Sequence, residues 1–251
     1  MDLSKHPFFE IHQDLPREAP GSNESTSKAF GLLTELPACP DILDIGCGPG
    51  MQTMQIAQLT DGQITALDKT EAFLQELERR KLAAGLDEKI RTVSGDMFSL
   101  PFARESFNVI WSEGAIYIIG FERGLREWKA FLKPKGYLVV SELTWLQDDP
   151  PEEIAQFWAS HYPAMKCARD TEKLIQQEGY SLIHRFTLPE SDWWTHYYTL
   201  LEERVARLRQ RQPMDVLMKE CLDQAQQEID LYRKYSEYYG YMFFVMQRSD
   251  S

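Results

Sequence analysis

The sequence predicts an α/β fold built on a largely parallel sheet, and three observations carry that reading. From Asp41 onward, short apolar runs alternate with amphipathic helical runs, the pattern of successive βαβ units. The first apolar run ends in a glycine-rich turn, DILDIGCGPG over residues 41–50, and a helical run follows at once. The chain closes on GYMFFVMQ, an apolar run suited to a buried strand.

Residues 1–40 are interrupted by Pro7, Pro16, Pro20, Gly21, Pro37 and Pro40. Only a helix from about Ser25 to Leu36 is expected there, with Phe30, Leu33 and Leu36 at helical spacing. After the glycine turn come helix MQTMQIAQLT, strand QITALD and helix TEAFLQELERRKLAAG, which Thr70 can cap and Gly85 can stop. Strands KIRTVSGD and FNVIWSEG, helix ERGLREWKAFLKP and strand GYLVVSEL complete five strand candidates by residue 143. Beyond them PPEEIAQFWASHYP reads as a helix opened by proline. DTEKLIQQEGY reads as a second helix, followed by strand SLIHRFTLP. A long helical stretch then places Trp194, Tyr197, Tyr198, Leu201, Val205 and Leu208 on one face. Pro213 breaks it, and a second face runs from Met214 to Tyr232. The expected organisation is one domain over 1–251. It comprises an N-terminal lid segment at 1–40, an α/β core at 41–189 and 238–248, and a helical insertion at 190–237.

Composition narrows the function classes. Of 251 residues, 43% are hydrophobic and 26% charged, which is enough for a core that needs no disulfide or metal staple. The 39 acidic against 27 basic residues give a net charge of -12, so nucleic acid is not an expected partner. Cys39, Cys47, Cys167 and Cys221 form no C-x-x-C pair and read as free thiols in a reducing compartment. MDLSKHPFFEIHQDLP lacks the continuous apolar core of a secretory leader, and no run approaches the ~20 apolar residues of a membrane span. A cytoplasmic protein is expected. The histidines and cysteines show no metal-ligand spacing, so no metal is expected.

The glycine turn is the strongest functional signal. Gly46, Gly48 and Gly50 free the backbone for close ligand approach, and the helix behind them offers unpaired N–H groups. The spacing is G-x-G-x-G, not the G-x-G-x-x-G of dinucleotide turns, which argues against NAD. Asp44, two residues ahead, disfavours a pyrophosphate and favours a ligand with a positive amine. S-adenosylmethionine carries such an amine beside a carboxylate. Asp68 ends the second strand, where a carboxylate can accept from two ribose hydroxyls. Asp96 follows the third strand and can accept from the adenine amine, with the Met97 amide donating to the ring.

On DIGCGPG, ALD, SGDMF and FNVIWSEG the chain resembles the class I S-adenosylmethionine-dependent methyltransferases, over residues 41–143. LPREAPGS, WSEGAIYIIGFERGLREW and YYGYMFFV resemble a narrower bacterial and archaeal branch, itself distantly similar to quinone-biosynthesis methyltransferases. The resemblance implies a Rossmann-like, seven-stranded sheet of order 3-2-1-4-5-7-6, with an antiparallel last strand. It also carries Arg17 and Gly21 to the cofactor side. The branch has Arg-Gln-Gly-Pro-Gly where this chain has Arg17-Glu18-Ala19-Pro20-Gly21, so Glu18 is not carried over. Lys69 stands where the class usually covers adenine with an apolar residue, a role its methylene stem can fill.

Methyl transfer needs positioning more than covalent help. The acceptor should lie beyond the carboxyl end of the fourth strand. Trp111 and Ser112 are therefore assigned to the cofactor side, and Glu113 and Tyr117 to the acceptor, with Glu113 as a base or as partner to an ammonium. Glu142, Trp145 and, on the insertion, His196 are further candidates. The expected activity is methyl transfer to a small molecule. The alternatives are a protein or tRNA acceptor, or binding of S-adenosylmethionine without turnover, and a homodimer stays open.

Overall fold

The computed structural model describes residues 7–12, 15–211 and 213–249. The leader reading of residues 1–16 falls partly outside the described residues. Two short helices, α1 (Pro7–His12) and α2 (Asn23–Phe30), precede the sheet. Helix α2 is shorter than the apolar spacing suggests. Ser22 caps its start, accepting from the Ser25 amide at 3.0 Å, and Gly31 ends it before Leu33 and Leu36 can join.

The α/β units follow as β1 (Asp41–Ile45), α3 (Met51–Leu59), β2 (Gln63–Asp68), α4 (Glu71–Ala83), β3 (Ile90–Ser94), β4 (Phe107–Glu113), α5 (Phe121–Trp128) and β5 (Leu132–Trp145). Then come α6 (Glu152–His161), β6 (Lys166–Cys167), α7 (Ala168–Gln177) and β7 (Tyr180–Thr187). The insertion contributes α8 (Glu190–Trp193), a π-helical turn over Trp194–Tyr198, α9 (Thr199–Arg209) and α10 (Val216–Tyr235). Strand β8 (Tyr239–Arg248) closes the chain's sheet.

The strands join in the order β3-β2-β1-β4-β5-β8-β7. This is the expected order with the last two strands renumbered, because the two-residue β6 adds an eighth strand beside the end of β5. Pairs among β1 to β5 are parallel, whereas β8 runs antiparallel to both β5 and β7. Both faces are covered, which is why the central strands read as continuous apolar runs. Ile42, Trp111, Val139 and Phe243 point to one layer, and Leu43, Ile110, Leu138 and Phe244 to the other.

A third apolar cluster joins the insertion to β5 and β8, and it is largely aromatic. The π turn shifts the helical phase by one residue, so Trp193, not Trp194, occupies its centre. Trp193 stacks on Tyr232 with centroids 4.0 Å apart and lies edge-on to Tyr239. On β5, Glu142 is only 4% exposed, and neither of its oxygens has a hydrogen-bond partner among the described residues. Tyr162 stands near enough to lower its pKa somewhat, but burial dominates and pushes it up to about 8. Among the described residues no helix is long and apolar enough to cross a membrane.

Trp193→Ala is expected to lower stability by about 3–5 kcal/mol, the usual penalty for emptying a packed aromatic site. Trp194→Ala, at a half-buried position, should cost clearly less, and urea unfolding measures both. Glu142 has its folded pKa raised, so its stabilising contribution is fully present below the unfolded value near 4.5 and is lost as pH rises through about 8. The melting temperature of Glu142→Gln should therefore move above that of the parent chain, by a margin that widens from about pH 5 to about pH 8.

Candidate active site

Beyond Ile45 the chain turns sharply, and all three glycines of the turn take positive φ. Two of them have no room for a side chain. A Cβ on Gly46 would lie 2.6 Å from that of Ala115, and one on Gly50 would lie 2.3 Å from Leu77 Cδ1. The turn is pinned to the end of β2, where the Gly46 and Cys47 amides donate to the Leu67 carbonyl at 2.8 and 3.1 Å. Asp68 continues the seam. Its Oδ2 accepts from the Gly48 amide at 2.9 Å and its Oδ1 from the Thr70 amide at 2.8 Å.

Asp44 lies wholly buried beneath the turn. Its Oδ2 accepts from the Thr53 hydroxyl at 2.6 Å, and its Oδ1 has no partner among the described residues. Burial pushes its pKa up to about 7, with the Thr53 bond opposing.

A cavity of about 360 Å³ opens at the carboxyl ends of these strands. It brings together Gly46, Gly48, Asp68, Lys69, Asp96 and Met97 from three successive strand ends. Arg17, Glu113 and Tyr117 also reach it. At its rim the Lys69 ammonium pairs with Asp96 Oδ2 at 3.1 Å, while Asp96 Oδ1 accepts from the Phe98 amide. These bonds, the Phe98 amide first, hold the Asp96 carboxyl below its usual range. Phe73, Phe98 and Ile118 supply apolar surface.

Five other residues assigned to the cofactor from sequence do not line this cavity. Gly21 and Gly50 support its walls from behind, and Asp44 is sealed below the turn. Trp111 and Ser112 are fully buried, since strand alternation turns Trp111 into the core and the Ser112 hydroxyl donates to the Ile45 carbonyl at 2.9 Å. His196 sits elsewhere, in a shallow depression with Ser25, Lys28 and Asp192.

Glu113 is the most heavily engaged group. Its Oε2 accepts from Arg17 Nη1 at 2.9 Å, and its Oε1 accepts from Trp111 Nε1 at 2.9 Å and from the Thr26 hydroxyl at 2.8 Å. Both side chains of the ion pair are only 6% exposed. A carboxylate paired with arginine and held by two more donors has its oxygens already engaged. In this geometry it fastens the segment Arg17–Pro20, here termed the strap, to the end of β4.

The strap is the part of the expected lid segment that forms a wall. Glu18, Ala19 and Pro20 line the first cavity and also a second one of about 300 Å³. Phe8, Gly114 and Tyr117 are likewise shared. Glu18 Oε2 is buried without a partner among the described residues, and burial with the nearby Asp68 charge pushes the carboxyl up to about 8. Proline-broken sequence carries no periodicity, so nothing in residues 15–22 signalled which way these side chains face.

Comparison with known proteins agrees with this geometry. Residues 42–136 match the model of a methyltransferase domain family. The chain is 26% identical over 217 residues to the uncharacterized methyltransferase YodH of Bacillus subtilis, covering 85% of this chain and 88% of that one. It is 25% identical over 176 residues to a sterol 24-C-methyltransferase of Pneumocystis carinii, and that match spans 67% of this chain but only 47% of the relative. Among solved structures, YjhP from E. coli superposes with a TM-score of 0.81 at 22% identity, over 97% of this chain and 99% of that one. A methyltransferase from Geobacter sulfurreducens in complex with S-adenosyl-L-homocysteine gives a TM-score of 0.81 at 20% identity, covering 96% of each chain. The domain match, the relatives and the shared sheet order agree: residues 42–136 form a methyltransferase domain, and the chain has the fold of the class I S-adenosylmethionine-dependent methyltransferases.

Proposed function

We propose that the chain transfers a methyl group from S-adenosylmethionine, held in the first cavity, to a small molecule held in the second. The observation that carries this reading is the wall the two cavities share. Glu18, Ala19, Pro20, Gly114 and Tyr117 line both, so a donor in one and an acceptor in the other would meet across them.

The first cavity suits the cofactor on its own features. Gly46 and Gly48 present backbone where a side chain would intrude. Asp68 and Asp96 stand at adjacent strand ends, fitted to ribose hydroxyls and to the adenine amine, and Met97 and Phe98 offer a flat apolar face. Asp68 gives the cavity a negative character, and Glu18 can ionise beside it, which suits a ligand with a sulfonium and an ammonium. When bound, the cofactor supplies an electrophilic methyl group. The protein's part is to place the acceptor against it and to exclude water, and placement alone is worth up to about 7–11 kcal/mol in favourable cases. Arg17 and Glu113 serve that placement by holding the strap, and Tyr117 lines the passage.

A small acceptor is favoured over a protein or tRNA because the second cavity is bounded by the strap, α6 and the insertion. Relatives named for sterol methylation point the same way, as does the acidic charge of the whole chain. Incubating the protein with labelled cofactor and a cell extract, then separating small from large molecules, tests this. Label should enter the small-molecule fraction, and label confined to macromolecules would reverse the assignment.

Asp68→Ala is expected to weaken S-adenosylhomocysteine binding about 10- to 100-fold by calorimetry, through loss of charge-assisted hydrogen bonds of about 1.5–3 kcal/mol. Unchanged affinity would remove Asp68 from the site. Arg17→Met leaves Glu113 buried without its counterion, so a stability loss of about 3–5 kcal/mol is expected in chemical unfolding.

A further inference from the structure

The second cavity contains chemistry that cofactor binding does not use. Among the described residues its lining includes no lysine and no arginine. Its acids, Glu18 and Glu228, and its imidazoles, His12 and His161, stand beside tyrosine hydroxyls and the Gln224 amide. Glu228 on α10 gives Oε1 to the Tyr198 hydroxyl at 2.7 Å, which leaves Oε2 without a donor among the described residues. His12 and His161 each place Nδ1 against the carbonyl four residues back, at 2.9 and 2.8 Å. A ring that donates from Nδ1 in its neutral form keeps a lone pair on Nε2. For His12 the neutral form is favoured, since burial lowers its pKa.

Two more acids lie close. Glu18 lines the cavity and Glu142 stands behind its wall, where burial first, with acids including Glu142 adding, raises the pKa of Tyr117, Tyr162 and Tyr241. Burial also raises the Glu228 carboxyl, with Tyr198 and His161 opposing, which is the condition of an acid short of positive charge. The remaining surface is aromatic, chiefly Trp158, Tyr162, Trp193 and Tyr197.

A ligand carboxylate or phosphate would meet two acids here and, among the described residues, no lysine or arginine. A purely apolar ligand would leave Glu228 Oε2 without a donor, whereas His12 Nε2 already lies 3.4 Å from the Tyr197 hydroxyl. An ammonium brings several N–H donors, the missing positive charge and an attraction to aromatic faces. The volume of about 300 Å³ lies at the lower end of the range for small-molecule sites, so the ligand is compact.

We propose that the second cavity is an acceptor site selective for compact molecules that carry a basic amine, with Glu228 as the anchor of that amine. This rests on the first cavity being the cofactor site, since the acceptor must meet the donor across their common wall.

The test uses the full chain saturated with S-adenosylhomocysteine, whose own titration is read first. 2-Phenylethylamine, 2-phenylethanol and phenylacetate are then titrated in turn, followed by cyclohexylamine, cyclohexanol and cyclohexanecarboxylate. The amines should bind at least about tenfold tighter than the matching alcohols, and the carboxylates more weakly than either. Glu228→Gln should abolish the preference for amine over alcohol while leaving S-adenosylhomocysteine affinity as in the parent chain. If that variant does not fold, Tyr197→Leu, which removes an aromatic face and no charge, should weaken the amines more than the alcohols. Equal binding of amine and alcohol, tighter binding of carboxylate, or no amine binding to a chain that does bind S-adenosylhomocysteine overturns the proposal. A chain that fails to bind S-adenosylhomocysteine at all overturns the cofactor reading first, and this inference with it.

Discussion

The buried pair between Arg17 and Glu113 is the contact on which the rest of the site depends. An ion pair this deeply enclosed gives little net stability by itself, because both charges have lost their water. Its value is positional. Arginine is suited to the place, since its planar fork reaches Glu113 with one nitrogen while the other meets Asn23 Oδ1 at 3.0 Å and Thr26 Oγ1 at 3.4 Å. Lysine could satisfy one of these partners as a point charge, but not the fork. The strap between them is fixed again at its two ends. Arg80 donates to the Pro16 carbonyl at 3.2 Å, and the Gly21 amide donates to the Asp192 carbonyl at 3.2 Å. Helix α4, strand β4 and the insertion therefore all hold one short segment, and that segment divides the two cavities.

The sheet supplies the two sides of this division by different means. Its parallel half ends three strands at one edge, and each end delivers a turn or an acid to the first cavity. Its antiparallel half lets the chain leave for about 50 residues and return into the same sheet. Strand β8 enters between β5 and β7 with Tyr239 and Tyr241 at its start, directly under the aromatic cluster of the insertion. Carboxyl groups follow the same division. Glu18, Asp44, Glu142 and Glu228 are all raised by burial, which outweighs the opposing Arg80 charge at Glu18 and His161 at Glu228. Part of the net charge of -12 is thus concentrated inside the protein, around spaces that a cation would stabilise.

What could be read from sequence was whatever has a period or a spacing. The glycine turn and the acids at the ends of β2 and β3 follow from such patterns and appear in the structure at the same residues, and the order of strands follows from the family resemblance. Other features depend on chain segments far apart in sequence. Glu113 looked available because its partner lies 96 residues earlier, in a stretch with no periodicity. Trp111 and Ser112 were assigned by nearness to a strand end, but the alternation of β4 and the neighbouring β1 bury both. The π turn altered the phase of the insertion, so Trp193 replaced Trp194 inside, and His196 was carried to the outer side. A two-residue strand such as β6 is shorter than any pattern can specify.

The same contrast explains why the obvious acid is not the chemically open one. A residue that ends a strand at the sheet's edge is positioned by the fold, and the fold uses Glu113 to close a buried ion pair. Glu18 lies on the strap instead, with its Oε2 unpaired and Asp68 close by. Burial, with the Asp68 charge beside it, raises Glu18 to about 8, so it retains its proton at neutral pH. A cationic ligand opposes that rise, whereas a neutral or anionic one does not. The strap thus joins two functions in adjacent residues. Arg17 fixes the wall through a charge that is fully matched, and Glu18 presents to the cavity a carboxyl that a cationic ligand would ionise.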